Sequence, residues 1–230
     1  MTMVALTTVS RAAVHLRLGR VSNLPTVWTN VVAGAALGGG SLAYGGLVSS
    51  SVAISLFYVG GMYLNDAFDA RIDRIERPER PIPSALITQR EVFRYAFMFL
   101  GAGLVVLTLL VALGAARIGA VVTAGILGLA VVLYDLWHKD NPVSPLIMGV
   151  CRGLVYVTAA LATFGAASAT VWLGGLGLVG YVVGLTYGDV ATYVSSVGRE
   201  ARLENGQHVY DGYVAHSGSN AGALMNCGTP

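Results

Sequence analysis

Six long apolar runs constrain the fold of this chain more than any other feature of its sequence. A helix needs about 20 mostly apolar residues to cross the hydrocarbon core of a bilayer. Hydrophobic residues make up 55% of the 230 residues and charged residues only 11%, proportions that are unlike those of a soluble domain. We therefore predict an all-α, polytopic membrane bundle of about six transmembrane helices, over residues 25–44, 47–66, 91–114, 117–136, 143–165 and 168–190.

The two ends of the chain differ from this apolar middle. The stretch before Arg11 is too short for a signal peptide, and Arg17 and Arg20 follow where a cleavage site should lie. The last thirty residues are polar and rich in Gly and Ser, a composition typical of disorder. We predict an interfacial segment over 1–22, a transmembrane domain over 23–200 and a disordered tail over 201–230.

The positions of Arg and Lys predict the orientation in the membrane. Basic residues precede the first run, fill the loop after the second, and follow the fourth and sixth, whereas Arg117 is the lone basic residue in the opposite loops. Because basic residues favour the cytoplasmic side, we expect both termini and the charged loops there. A net charge of +2 and the lack of a basic, aromatic-laced stretch argue against nucleic acid as a partner.

The segment NDAFDARIDRIERPERPIP, residues 65–83, directly follows the second run. At about 100° per residue, Asn65, Asp66, Asp69 and Asp73 share one face of a continued helix. Like charges at this spacing repel, and ionised groups at membrane depth are costly enough to indicate function. Oxygen ligands suit a hard cation such as Mg²⁺. The alternative is a solvated loop whose acids and arginines neutralise one another.

Two arginines after the carboxylates indicate an anionic ligand. Arg77 and Arg80 stand among Pro78, Pro81 and Pro83. Guanidinium groups match phosphate oxygens, and the prolines should hold the segment extended.

These residues resemble a known family. NDAFDARIDR followed by RPERPIPS resembles the first Asp-rich signature of the UbiA-type intramembrane prenyltransferases. VVLYDLWHKDNP is similar to the family's Y-D-x-x-x-K element, and LPTVWTNVVAGAALG resembles its first helix. The resemblance covers roughly residues 10 to 165.

The resemblance implies transfer of a prenyl group from a polyprenyl diphosphate to an acceptor, aromatic or lipid, inside the bilayer, with Mg²⁺ as cofactor. The distribution of basic residues, rather than the resemblance, predicts that this site lies on the cytoplasmic side. The residues that it implicates are Asp66, Asp69, Asp73 and Lys139 for catalysis, the same three aspartates with Asp189 as a further candidate for the metal, and Asn65, Arg77, Arg80, Tyr134, Asp135, Lys139 and Arg152 for the diphosphate.

Some of these assignments have open alternatives. Arg152 needs an anion at membrane depth, which Asp135 or a phosphate could supply, or else it extends to the interface. Lys139 could likewise be an interfacial lysine. We interpret His138 as an interfacial residue, because no other histidine lies at a ligand spacing from it.

The second Asp-rich signature of the family is incomplete in this chain. In GLTYGDVATYVSSVGRE, Asp189 matches its end but Leu185 stands at the partner position, and Glu200 is a competing candidate. Asp189 is otherwise a helix-end aspartate. Because the family usually has nine helices, we expect a truncated or divergent member.

Other functions compete with the transferase. A catalytically impaired member would bind an isoprenoid diphosphate, or act as an assembly subunit, without turnover. A CDP-alcohol phosphatidyltransferase would need a glycine where Ala70 stands. A transporter should carry ionisable residues at several depths, whereas these gather at one face.

Overall fold

The computed structural model describes residues 10–40, 44–138, 141–163 and 165–203, with side chains described up to Gly188. Within these ranges the chain forms seven α-helices, one short 3₁₀ turn and no strand, which confirms the all-α class. Five helices, α3 to α7, are long and apolar enough to cross a membrane. The helices are α1 (Arg11–Leu18), α2 (Leu24–Leu37), α3 (Tyr44–Glu76), α4 (Gln89–Ala112), α5 (Ile118–Trp137), α6 (Ser144–Ala162) and α7 (Ala169–Leu203).

The helix α2 is shorter than the span predicted over 25–44. It has 14 residues and ends before Gly38, and Gly39 adopts φ 62°, a left-handed conformation that suits glycine and stops a helix. Fourteen residues rise about 21 Å, which is less than the roughly 30 Å of a hydrocarbon core. Five of the six predicted runs are thus confirmed as helices of spanning length.

Neighbouring helices run in opposite directions, so their polar ends collect at one end of the bundle. There the side chain of Gln89, at the start of α4, donates to the carbonyl of Ala67 in α3 at 2.8 Å. At the other end, the N–H of Ala166 donates to the carbonyl of Gly38 at 2.9 Å. The ends of α3 and α5 and the starts of α2, α4 and α6 therefore surround one polar region.

The short helix α1 packs against this polar end. Ser10 caps it by accepting a hydrogen bond from the N–H of Ala13, and Val14 and Leu18 are buried in the main hydrophobic core. His15 Nδ1 lies 2.8 Å from the hydroxyl of Tyr63 in α3. Its position on the bilayer surface stays a prediction, and residues 204–230, which hold most of the predicted tail, lie outside the described part of the chain.

Glycine allows the closest helix contacts. A Cβ added to Gly34 in α2 would lie 2.6 Å from the carbonyl oxygen of Tyr156 in α6, and one added to Gly103 in α4 would lie 2.9 Å from that of Ala53 in α3. Both distances are too short for a side chain. The sequence uses small residues here because dense packing, rather than water exclusion, holds helices together in lipid.

Candidate functional site

The helix α3 carries the predicted carboxylate face and buries it. Asn65, Asp66, Asp69 and Asp73 are each only 4–8% exposed. They lie in the last three turns of α3, where the helix has passed its apolar section and faces the polar ends of its neighbours. Burial of this many acidic groups requires compensating positive charge.

Arg80 supplies part of that charge. Its Nη1 lies 2.7 Å from Asp73 Oδ2 and 3.4 Å from Asp66 Oδ1, so that one guanidinium bridges two carboxylates. Burial opposes the charged form, but the hydrogen bond to Asp73 and the charges of Asp66 and Asp73 raise the pKa of Arg80 above its ordinary value. The loop that carries Arg80 forms turns, so the prediction of an extended segment is wrong. The N–H and hydroxyl of Ser84 both donate to the carbonyl of Arg80.

Arg20 supplies a second guanidinium from another part of the chain. Its Nη2 lies 3.3 Å from Asp66 Oδ1 and 3.4 Å from Asn65 Oδ1. The residue adopts φ 42° at the junction between α1 and the 3₁₀ turn Val21–Asn23. Sequence reasoning used Arg20 only to argue against a signal peptide and to predict the orientation; its place just before the first predicted span was the available signal.

Asp135 joins the carboxylate face from α5. Asn65 Nδ2 donates to its Oδ1 at 3.4 Å, which links the two predicted motifs across 70 residues. Asp135 is 4% exposed, and its Oδ2 is a buried oxygen without a hydrogen-bond partner in the described ranges. The ring of Tyr134, the preceding residue, stacks on that of His138 with centroids 5.1 Å apart.

His138 is part of the site, so its interpretation as an interfacial residue is wrong. It is 3% exposed, with Nδ1 3.1 Å from the carbonyl oxygen of Asp135 and Nε2 3.4 Å from Asp69 Oδ1. Both neighbours accept, so a doubly protonated imidazolium satisfies both. Burial lowers its pKa, but the hydrogen bond and charge of Asp69 outweigh burial, and the pKa is raised overall.

An apolar cavity of about 160 Å³ adjoins this polar cluster. Its polar lining includes Asn30, Tyr134, Asp135 and Arg152. Asp135 is therefore both a wall of the cavity and, through Asn65, a neighbour of the α3 carboxylates. Most of the lining is apolar and comes from α2, α3, α5 and α6, including Val27, Ile54, Phe57, Leu127, Val131 and Val155.

Of the remaining predicted site residues, some lie near the cluster or the cavity, and others lie outside the described part of the chain. The N–H of Arg77 donates to the carbonyl of Asp73 at 2.9 Å and closes the end of α3. Arg152 and Asp135 line the same cavity without forming the ion pair that the sequence allowed. Lys139 lies outside the described residues, and so do the side chains of Asp189 and Glu200, although the backbone of both belongs to α7.

The donor atoms suit a hard cation. Within the described ranges, no three His, Cys, Asp or Glu side chains already converge on one point as a metal site. Instead Arg80 holds Asp66 and Asp73. The oxygen-rich set formed by these two residues, Asp69 and the unpartnered Oδ2 of Asp135 nevertheless has the chemistry that Mg²⁺ prefers.

Comparison with known proteins identifies the family of this chain. The model of the UbiA prenyltransferase family matches residues 24–200. The chain belongs to that family. The matched range includes α2 to α6, most of α7 and all the carboxylates of the cluster. Arg20, which pairs with Asp66, lies just before this range.

Individual UbiA relatives match over shorter stretches. A digeranylgeranylglyceryl phosphate synthase of Haloquadratum walsbyi is 32% identical over 69% of this chain and 51% of its own length. The synthase of Ignicoccus hospitalis is 38% identical over 39% of this chain and 29% of its own length. The chain thus spans about half or less of these curated relatives.

Solved UbiA structures share the fold. A structure that concerns digeranylgeranylglyceryl phosphate synthase in membranes has a TM-score of 0.63 and 23% identity, over 85% of this chain and 66% of the other. A UbiA homolog from Archaeoglobus fulgidus, bound to GPP and Mg²⁺, has a TM-score of 0.56 and 17% identity, over 84% of this chain and 67% of the other.

Proposed function

We propose that this chain acts as a Mg²⁺-dependent prenyltransferase, which moves a prenyl group from a polyprenyl diphosphate to an acceptor within the membrane. The observation that carries the proposal is the contact between a buried carboxylate cluster and an apolar cavity, with Asp135 in both. Such a junction suits a substrate that has a highly charged head and a hydrocarbon tail. The A. fulgidus homolog, which binds GPP and Mg²⁺, supports the same substrate class.

Each part of the cluster has a role in this proposal. Asp66, Asp69 and Asp73 would hold Mg²⁺, which, when bound, neutralises the diphosphate and acts as a Lewis acid on the leaving group. Arg80 and Arg20 would turn from the carboxylates to the phosphate oxygens and stabilise the charge that grows there.

Four further residues complete the proposed diphosphate site. Asn65 would orient the carboxylates, while Arg77, Lys139 and Tyr134 would contact the diphosphate. The apolar cavity wall would exclude water from the allylic cation and so prevent its hydrolysis.

The acceptor in this proposal is a lipid rather than an aromatic compound. Relatives are named for making digeranylgeranylglyceryl phosphate. Removal of one prenyl group from that product leaves geranylgeranylglyceryl phosphate, which we propose as the type of acceptor.

We further propose that the site faces the cytoplasm. The end of the bundle that holds the carboxylate cluster also carries Arg11, Arg17 and Arg20 before α2. Five more arginines lie at residues 71–90, which cover the last turns of α3, the following loop and the start of α4. This bias supports a cytoplasmic position by the positive-inside tendency.

Removal of Mg²⁺ tests the function directly. The full chain in detergent is given geranylgeranyl diphosphate and geranylgeranylglyceryl phosphate, with Mg²⁺ or with EDTA, and both substrate binding and diphosphate release are measured. We expect binding and release with Mg²⁺ and neither with EDTA. Binding without release would favour the diphosphate-binding subunit, and an absence of binding in both conditions would contradict the site itself.

His138 provides a second prediction, because its Nε2 contacts the carboxylate of Asp69, one of the proposed metal ligands. Groups that orient metal ligands are worth about 10–100-fold in metal affinity. We expect His138→Ala to weaken Mn²⁺ binding, measured by electron paramagnetic resonance, by about tenfold, and His138→Gln, which keeps an N–H near the Nε2 position, to retain most of it. Equal losses in the two variants would contradict a role for the Nε2–H group of His138, and unchanged binding in both would contradict any role of His138 in metal binding.

A further inference from the structure

Arg152 is a cation placed deep in the bundle. It lies on α6, eight residues after Ser144, and is therefore about 12 Å from the start of that helix. It is half-buried and forms part of the cavity wall. A guanidinium at this depth is costly unless an anion or water compensates its charge.

The protein supplies no such anion within its described part. No hydrogen bond or ion pair joins the Arg152 side chain to a described residue, although Arg20 and Arg80 both have carboxylate partners. Asp135 lines the same cavity, but its Oδ1 accepts from Asn65 and its Oδ2 has no hydrogen-bond partner. The carboxylate that shares the cavity with Arg152 therefore does not pair with it.

Arg152 lies on the cavity side of the proposed diphosphate site rather than among its carboxylates. Arg20 and Arg80 contact the carboxylates at the end of α3. Arg152 instead lines the mostly apolar cavity, whose polar lining also includes Asn30, Tyr134 and Asp135. A cation on the wall of an apolar space fits an amphiphile with an anionic group, and a guanidinium can bind two phosphate oxygens at once.

We propose that Arg152 binds the phosphate of the second substrate, the acceptor lipid, and so selects an anionic acceptor. This inference rests on the proposed transferase function. Arg152 then belongs to the acceptor subsite rather than to the diphosphate site that the sequence resemblance implied. Asn30, on the neighbouring α2, is placed to add an amide hydrogen bond in the same cavity.

An equilibrium binding experiment tests this without turnover. The probes are geranylgeranylglyceryl phosphate, the uncharged geranylgeranylglycerol and geranylgeranyl diphosphate, each titrated into the full chain in detergent. We expect the wild type to prefer the phosphate to the uncharged lipid, and Arg152→Gln to lose at least about tenfold of that preference, since a hydrogen bond to a charged group has that weight. Affinity for geranylgeranyl diphosphate should stay unchanged.

Two further variants serve as controls. Arg152→Lys keeps the charge but loses the guanidinium group that can bind two phosphate oxygens at once, so it should retain part of the preference. Arg94→Gln, which removes an exposed arginine of α4, should leave all three affinities unchanged. A wild type that binds both lipids equally, or an Arg152→Gln variant that keeps the preference, would overturn the proposal. A loss of diphosphate affinity alone would also overturn it and assign Arg152 to the diphosphate. These outcomes concern equilibrium binding of the acceptor lipid, whereas a failure of the proposed transferase function would appear as a lack of diphosphate release. The two failures can therefore be distinguished.

Discussion

Asp69→Asn is expected to lower the rate of diphosphate release by about 100-fold or more, the size of effect seen when one group that stabilises a developing charge is removed. Asparagine has almost the same shape but lacks the charge that would hold Mg²⁺. It also removes the ionic partner of His138, whose Nε2 lies 3.4 Å away. The measurement is diphosphate release under saturating Mg²⁺ and both substrates, on protein whose thermal unfolding has been checked.

Glu79→Gln is the matched control for this variant. Glu79 is an exposed acid in the same Arg- and Pro-rich segment, so its neutralisation changes net charge equally but leaves the buried cluster intact. We expect release to stay within about twofold of the wild type, since surface changes have small effects. If both variants retained activity, the carboxylate face would not be the site of chemistry.

Gly34→Ala is expected to destabilise the bundle by about 1–3 kcal/mol, the usual cost of forcing a methyl group into a packed interior. The added Cβ would lie 2.6 Å from the carbonyl oxygen and 2.7 Å from the Cα of Tyr156. Because these are backbone atoms, α2 and α6 must move apart to relieve the clash. Thermal unfolding followed by circular dichroism in detergent should show a lower midpoint.

Gly101→Ala on α4 makes the same chemical change in open space. No atom lies within 4 Å of the Cβ that it would add, and alanine favours a helix over glycine by about 1 kcal/mol. We expect an unchanged or slightly higher midpoint. A similar loss of stability in both variants would show that the α2–α6 contact is looser than the structure indicates.

The parts of this architecture that could be predicted from sequence are those that depend on local pattern. Five apolar runs became helices of spanning length because run length alone decides whether a helix can cross lipid. The acidic face of α3 followed from helical periodicity, since residues three and four apart must share a face. Both signals lie within one helix and need no knowledge of its neighbours.

The parts that sequence reasoning missed depend on contacts between distant segments. Arg20 meets Asp66 across 46 residues, and His138 meets Asp69 across 69 residues, through the packing of α5 against α3. No spacing rule connects such pairs. The length of α2 was misjudged for a different reason, because an unbroken apolar composition does not reveal that Gly39 takes a left-handed conformation.

The long helix α3 would set the depth of the proposed reaction in the bilayer. Asp66 lies 22 residues after Tyr44, and therefore about 33 Å along the axis, close to the roughly 30 Å thickness of the hydrocarbon layer. In the proposed function, the apolar length of this helix would keep isoprenoid tails in the hydrocarbon layer, and its last turns would hold phosphate groups at the edge of the water phase. The proposed transfer should therefore depend on membrane thickness. In a thinner bilayer this helix would tilt, and a thicker bilayer would have to thin around it, and either change would move the carboxylates relative to the water boundary.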